Sequence, residues 1–510
     1  MTAPEKPRPF FKPWQTTLLV AVLFCTALGI RLYDLTDLPN DFYMVRQYRG
    51  LLMARGMYYA GLDDAEEWQR QVAVSQWQSE SLIEPPILEG LVALTYRVIG
   101  EHIWVGRVYS SLFWLAGGLA LLLLAKDLSL RMGGLIGLAY YLILPFGVIA
   151  SRTFMPDPLM TALMAWSIWA LHRWEMRRTW KTAILAGVLT GLAILVKSVI
   201  VFPLLGAAAG LLLSRLSFRK IFLDWQIWAV AGITALPTVI YYVYGLFIEG
   251  SLGGQFSLRF FPDLLTDPSF YARWLFMMAG FGGFLALFLA WIGTLLFRNR
   301  ATLLMVIGLW VGYVIYGLVF PYHFLTHDYY HLPLVTIIAI GLIPSAEIFI
   351  EQIGRHMVSA GTDRSTRWGR AALVGLLLFA VAMKMWESRN TMARDSYRHE
   401  VAYWQELGQV IGHDKNIIEL AGDYGVRLAY FGWVSGRQWP MTADVYLRAL
   451  AGQGQPDFSE TFAEQTEGMN LFVVTSLPEL ENQPELSQYL AAHYPLISEG
   501  DGYLIYDLRP

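Results

Sequence analysis

One feature constrains this chain more than any other. Apolar runs of about 20 residues, each long enough to cross a bilayer, recur from near the N-terminus through residue 387. The composition agrees: 55% of the residues are hydrophobic and only 15% charged, where a soluble chain carries about a quarter charged residues. The net charge of -3 says little about partners, because its distribution matters more than its sum. The single cysteine, Cys25, lies inside the first apolar run, so an intramolecular disulfide is excluded. Lys6, Arg8 and Lys12 ahead of that run imitate a signal peptide. Arg31 and Leu32 follow it without a small-residue cleavage site, so the run is expected to stay as a first span.

Eleven spans are expected, at roughly 14–32, 104–125, 132–150, 157–174, 182–197, 199–214, 225–247, 272–297, 302–320, 330–350 and 371–388. The run "EPPILEGLVALTYRVIG" (84–100) is apolar but short and carries Glu89 and Arg97, so it is expected to lie at the membrane interface. That choice fixes the parity of everything after it. With the N-terminus inside, the inner segments hold Lys6, Arg8, Lys12, Lys126, Arg131, Arg173, Arg177, Arg178, Lys181, Arg215, Arg219, Lys220, Arg298, Arg300, Arg355, Arg364, Arg367 and Arg370. The short outer loops hold only Arg152, Lys197, Arg259 and Arg273. This is the asymmetry of the positive-inside rule, and it gives an N-in, C-out topology.

The last part of the chain changes character. From Arg389 onward it is polar, with an amphipathic helix expected over 397–412 and β-like runs "NIIEL", "NLFVV" and "YLIYDL". Strands alternating with helical patterns point to a small α/β domain, here on the outer side. The expected division is a helical membrane domain over 1–388, including a first outer loop at 33–103, and a soluble domain over 389–510. No internal repeat of fixed period is visible.

On this topology the unusual polar residues collect at one membrane boundary. The first outer loop supplies Asp41, Arg46, Gln47, Arg49 and Glu84. "SRTFMPDP" supplies Arg152 and Asp157, and "GLAILVKS" puts Lys197 at a span end. "YHFLTHDYYHLPL" supplies His323, His327, Asp328, Tyr330 and His331. Each has a plainer reading as well. Arg46 and Arg49 suit lipid head groups, Lys197 suits snorkelling, Asp157 suits a helix cap, Glu84 before two prolines suits a helix start, and the histidines suit an interfacial belt with Tyr322, Tyr329 and Tyr330. Together they suit a substrate with a lipid tail, a phosphate at the interface and a polar group outside. Arginine and lysine hold phosphate, a carboxylate serves as general base, and cations stabilise charge on a departing phosphate.

"DFYMVRQYRGLLMARGM", "EPPILEGLVAL", "SRTFMPDPLMTALMAW", "GVLTGLAILVKS" and "HDYYHLPL", in that order, resemble the polyprenyl-phosphate-dependent glycosyltransferases of the GT-C fold. The similarity is to the bacterial branch near protein O-mannosyltransferases and lipid A aminoarabinose transferases, and it covers about 14–350. The resemblance implies inverting transfer of a sugar from a polyprenyl-phosphate donor to a glycan, lipid or protein acceptor at the periplasmic face of a bacterial inner membrane. It implies Asp41 as base, with Glu84 and Asp157 as further site acids, and Arg46, Arg49 and Lys197 at the phosphate. Gln47, Arg152, His327, Asp328 and Tyr330 complete the candidate binding residues. The sequence departs from the family where many members carry an Asp-Glu pair before the loop arginine. Here the stretch reads "VRQYRG", and Asp41 stands five residues before Arg46. The base is thus left open between Asp41 and Glu84. No metal site is assigned, although Glu84 with His327 would be candidate ligands for a divalent ion. A transporter or flippase for lipid-linked saccharides should carry midplane charges and repeated halves, which this sequence lacks. A ligase or polymerase of lipid-linked glycans shares the phosphate logic.

Overall fold

A computed structural model describes residues 11–81, 83–215, 218–250, 252, 260–359, 363–450, 452, 454 and 457–509. Lys6, Arg8 and Arg259, which enter the charge asymmetry, lie outside the described residues. The chain divides into two compact units: Met1–Leu35 with Arg107–Ile248 and Pro262–Arg394, and Thr36–Gly106 with Glu249–Phe261 and Asp395–Pro510.

The first unit is helical and membrane-embedded, and all the apolar stretches expected to span are helical in it. Among the described residues six helices are long and apolar enough to cross a bilayer, or seven if the bent pair Pro268–Gly282 and Phe284–Leu295 is one span. Arg131–Ile143, Trp180–Val196 and Ser198–Leu213 are apolar but shorter, and Asp157–Arg177 belongs to neither group. The interruptions have local causes. Pro145 has no N–H to continue the helix that ends at Ile143. Gly283, at φ 81°, turns Pro268–Gly282 into Phe284–Leu295 through 95°. Lys197 is extended (φ -156°, ψ 111°) and separates Trp180–Val196 from the helix that starts at Val201.

Without a hydrophobic drive between helices in lipid, close packing holds such a body together, and small residues permit it. The Val201–Leu213 and Arg300–Val319 helices cross at glycines. A Cβ on Gly206 would stand 2.0 Å from the Gly308 carbonyl oxygen, and one on Gly210 would stand 2.0 Å from that of Leu304. Both obstacles are backbone, so a side chain there must push the helices apart.

The second unit joins the first inter-span segment to the C-terminal part of the chain. The helices Met44–Tyr59 and Glu67–Ser79 pack where Gly56 meets Trp77; a Cβ on Gly56 would lie 2.2 Å from Trp77 Cβ. Ile87–Ile99, the segment expected at the interface, is a 13-residue helix of about 20 Å, too short to cross. It buries Leu88, Glu89, Val92, Ala93 and Tyr96 and exposes Leu94 and Val98.

The C-terminal part carries the Glu400–Ile411 helix and a five-stranded sheet in the order β2-β1-β3-β5-β4. The strands are β1 (Ile417–Leu420), β2 (Gly436–Gln438), β3 (Leu471–Val474), β4 (Leu496–Gly500) and β5 (Tyr503–Asp507). β1 runs parallel to β2 and β3, with Ile418 opposite Phe472, whereas β5 runs antiparallel to β3 and β4. β1, β3 and β5 are the three runs visible in the sequence. β2 and β4 escape it because they are mostly exposed and lack a continuous apolar pattern. Arg55 binds this sheet layer to the first segment. Its guanidinium lies 3.8 Å from the Tyr430 ring and 4.2 Å from that of Trp433, and donates to Glu101 (2.9 Å) and the Tyr430 carbonyl (2.6 Å).

Two predictions follow from packing and burial. Gly308→Leu should lower the unfolding midpoint of the detergent-solubilised chain by a step worth about 3 kcal/mol, while the neighbouring exposed Val311→Leu should leave it nearly unchanged. Glu419, at the centre of β1, accepts a hydrogen bond from Thr475 (3.0 Å). Burial, reinforced by the charge of Asp423, pushes its carboxyl up to about 8. The folded state then holds a proton that the unfolded chain releases above its ordinary carboxylate range. Stability should therefore fall as pH rises from about 4.5 to about 8, and Glu419→Gln should flatten that slope in thermal melts.

Candidate functional site

The candidate residues gather in two clusters, one in each unit. In the helical unit the centre is Lys197. Its Nζ donates to both carboxylate oxygens of Asp157, at 2.8 and 2.9 Å, and both residues are buried. The extended backbone at Lys197 releases the side chain from the helix that ends at Val196, and Asp157 opens the Asp157–Arg177 helix. Asp157 makes no side-chain cap to that helix, because its carboxylate is committed to the ammonium. Lys197 is equally far from snorkelling. Its Nζ lies 4.6 Å from the centre of the Tyr329 ring and 5.7 Å from that of Tyr330, in the range of cation–π attraction.

The Asp328–His331 turn carries those tyrosines. Tyr330 stacks on His323 at 5.3 Å, and His327 exchanges a hydrogen bond with Thr326 at 2.8 Å. His331 is buried between the Tyr313 hydroxyl (2.5 Å) and the Phe324 carbonyl (2.9 Å), which ties this turn to the helices beneath it. Asp328 sits at the start of the same turn. Arg152 is buried and donates to the Asp34 carbonyl at 2.9 Å and to the Met392 sulfur. It clasps the end of the first helix to the end of the last.

In the second unit the centre is an arginine pair on one face of Met44–Tyr59. Nη2 of Arg46 contacts both oxygens of Glu84, at 2.8 and 2.9 Å. Arg49, three residues on, donates from Nε to Glu80 (2.9 Å) and from Nη2 to the Ser81 carbonyl. Its Nη1 has no protein acceptor among the described residues. The 80–84 segment is thereby strapped to the helix by charge, with Glu84 serving the strap rather than a helix cap. Gln47 is buried, and its amide donates to the carbonyls of Pro39 (3.1 Å) and Phe42 (2.7 Å). This holds the turn that presents Asp41, which is exposed and whose charge reaches Tyr397.

Two contributors lay outside the sequence reading of the site: Glu80 and Glu89. Glu80 is ordinary in sequence and becomes a partner only through folding, and Tyr329, read as part of an interfacial belt, stands against the Lys197 ammonium. Glu89 did leave a signal, an acid on the apolar face of an amphipathic helix between Leu88 and Val92. Burial pushes its carboxyl up to about 7, while its own amide and the charges of Arg49 and Arg46 pull it down and that of Glu84 pushes it up. Among the described residues no group of three His, Cys, Asp or Glu side chains is placed to hold a metal ion.

Residues 83–243 match the family model described as dolichyl-phosphate-mannose-protein mannosyltransferase. The match takes in Glu84, Arg152, Asp157 and Lys197, and leaves Asp41, the arginine pair and the Asp328–His331 turn outside. No curated protein matches the chain. Among solved structures it is similar to ArnT from Cupriavidus metallidurans bound to undecaprenyl phosphate, with TM-score 0.61, 14% identity and 98% of each chain covered. The same protein in the apo state gives TM-score 0.59 at 14% identity, over 97% of this chain and 98% of that one. The archaeal oligosaccharyltransferase AglB from Archaeoglobus fulgidus, in complex with an inhibitory peptide and a dolichol-phosphate, gives 0.53 at 11% identity, covering 92% of this chain and 70% of that one. The fold is the one that these solved structures share.

The Lys197–Asp157 pair yields a double-mutant test. Removing one partner of a buried ion pair strands the other charge at about 3–5 kcal/mol. Asp157→Asn and Lys197→Met should each lower the unfolding midpoint sharply, and the double variant should recover much of that loss. Additive losses would show that the two side chains do not depend on each other.

Proposed function

We propose that the protein is a membrane glycosyltransferase that takes a sugar from a polyprenyl-phosphate donor and transfers it, with inversion, to an acceptor. The observation that carries this reading is the end-to-end correspondence of its fold with a structure that holds undecaprenyl phosphate, 98% of each chain. The family match over 83–243 points to the same chemistry. The charge asymmetry supports the orientation, with the N-terminus inside and the first inter-span segment and C-terminal part outside; the resemblance to the bacterial branch makes that membrane a bacterial inner membrane and the outer side the periplasm.

The reaction asks for three things. The acceptor hydroxyl or amine must lose a proton as it attacks the anomeric carbon. The bond from that carbon to the phosphate oxygen must break, and the phosphate must be held while charge grows on it. Arg49 suits the holding role because its fork still has a donor to give. In the helical unit Lys197 is a candidate for the same role by the resemblance, and the rings of Tyr329 and Tyr330 stand beside it where electrostatic stabilisation counts most. The base stays open between Glu84, whose carboxylate is held by Arg46, and Asp41, which stands on an exposed turn. Asp41 is the candidate that the test below addresses first. The acceptor is a glycan, a lipid or a protein. Transfer of a whole lipid-linked glycan is a second reading, drawn from the likeness to AglB; product mass separates the two.

The test uses membranes containing the full chain and radiolabelled polyprenyl-phosphate sugars, with label leaving the lipid carrier as the readout. Wild type should release label. Asp41→Asn should slow release by about 100-fold or more, and Arg49→Gln should slow it by about tenfold or more. Unchanged release by Asp41→Asn would remove Asp41 from the mechanism, and failure of wild type on every lipid-linked sugar would overturn the reading.

A further inference from the structure

Glu89 lies within reach of an arginine pair without being bound to it. It sits in the first turn of Ile87–Ile99, on the buried face that packs against Met44–Tyr59, five residues after the glutamate that Arg46 holds. The charged groups that act on it are Arg49 and Arg46 from Met44–Tyr59 and Glu84 from the strap, and Glu80 is bound to the far side of this set through Arg49 Nε. The two strap glutamates are each in direct contact with an arginine. Glu89 is not, and among the described residues its carboxyl accepts no hydrogen bond from another side chain.

These facts bear on how an anion would be received. A phosphate approaching the uncommitted Nη1 of Arg49 meets Glu80, Glu84 and Glu89 in the same neighbourhood. If all three were ionised, the carboxylates would outnumber the two guanidinium groups before the phosphate arrived. Like charges at such range cost several kcal/mol in a partly desolvated site. A neutral carboxylic acid removes one of those charges and offers an O–H donor to a phosphate oxygen.

We propose that Glu89 is a phosphate-binding residue that acts as the neutral acid, donating a hydrogen bond to the lipid phosphate beside Arg49. The proposal rests on the glycosyltransferase reading, since it takes the ligand to be a polyprenyl phosphate. It has a consequence that a packing role would not. Binding is favourable while Glu89 holds its proton and weakens as the acid ionises, which burial delays until about pH 7. Glutamine has nearly the same shape and always donates, so Glu89→Gln mimics the protonated form at every pH.

The experiment measures binding of undecaprenyl phosphate to the full chain in nanodiscs, from pH 6 to pH 8.5, for wild type, Glu89→Gln and Arg49→Gln. The ratio of wild-type to Glu89→Gln dissociation constants cancels the ionisation of the phosphate itself. That ratio should be near one at low pH and rise roughly tenfold by the alkaline end. A ratio constant across the range overturns the role of Glu89 and leaves the glycosyltransferase reading standing. Absence of binding by wild type at every pH overturns the phosphate reading and this proposal with it. Phosphatidic acid, a phosphate monoester on a diacyl tail, is run in parallel. Equal affinity and equal pH dependence for it would overturn the assignment to a polyprenyl carrier.

Discussion

A charge inside a lipid-surrounded helical body persists only with a partner, and that constraint organises the first unit. Lys197 and Asp157 satisfy it directly, each burying a charge that would be costly alone. The geometry of the chain serves this pair. The helix stops at Val196, the backbone extends through Lys197, and the ammonium reaches the first residue of a helix forty positions earlier in the chain. The tyrosines beside it add ring faces in place of water. Arg152 obeys the same rule by other means, with a backbone carbonyl and a thioether as its partners. A polar group held this firmly in an apolar medium is already oriented before any substrate arrives, which is the condition for electrostatic catalysis.

The second unit solves a related problem near water. Arg46 and Arg49 lie on one helix face because they are three residues apart, and the carboxylates of Glu84 and Glu80 strap the following segment to that face. Arg55 continues the pattern toward the C-terminal part, where aromatic rings and Glu101 enclose its guanidinium. Arginine is suited to these joints because its planar fork can bond a carboxylate and stack on a ring at once. Consequently Glu80 and Glu84 are held by the same two arginines that the proposed reaction would place at the phosphate.

Much of this was legible beforehand. The apolar stretches mark the helices because a bilayer demands about 20 apolar residues of any helix that crosses it. The short length and charges of the 84–100 run identified a helix that does not cross. Interruptions within spans were harder to see: the break at Gly283 and the extended backbone at Lys197 lie inside continuous apolar sequence. Hydropathy registers composition and is blind to a single residue's backbone angles. In the C-terminal part, β2 and β4 passed unread for a similar reason, since short exposed strands owe their existence to the neighbour they pair with.

By itself the sequence determined that the chain carries many apolar helices, and which residue types are available for phosphate chemistry. These follow from local properties, namely apolar length, charge placement and the order of motifs. Only the tertiary structure decided which acid each cation takes. Lys197 took Asp157, Arg46 took Glu84, and Arg49 took Glu80, which sequence reasoning had not singled out. Burial pushes the Glu89 carboxyl up to about 7. Pairing between charges depends on distances of 3 to 4 Å across elements far apart in the chain, and on the burial that sets the cost of leaving a charge alone. Neither quantity exists until the helices have packed.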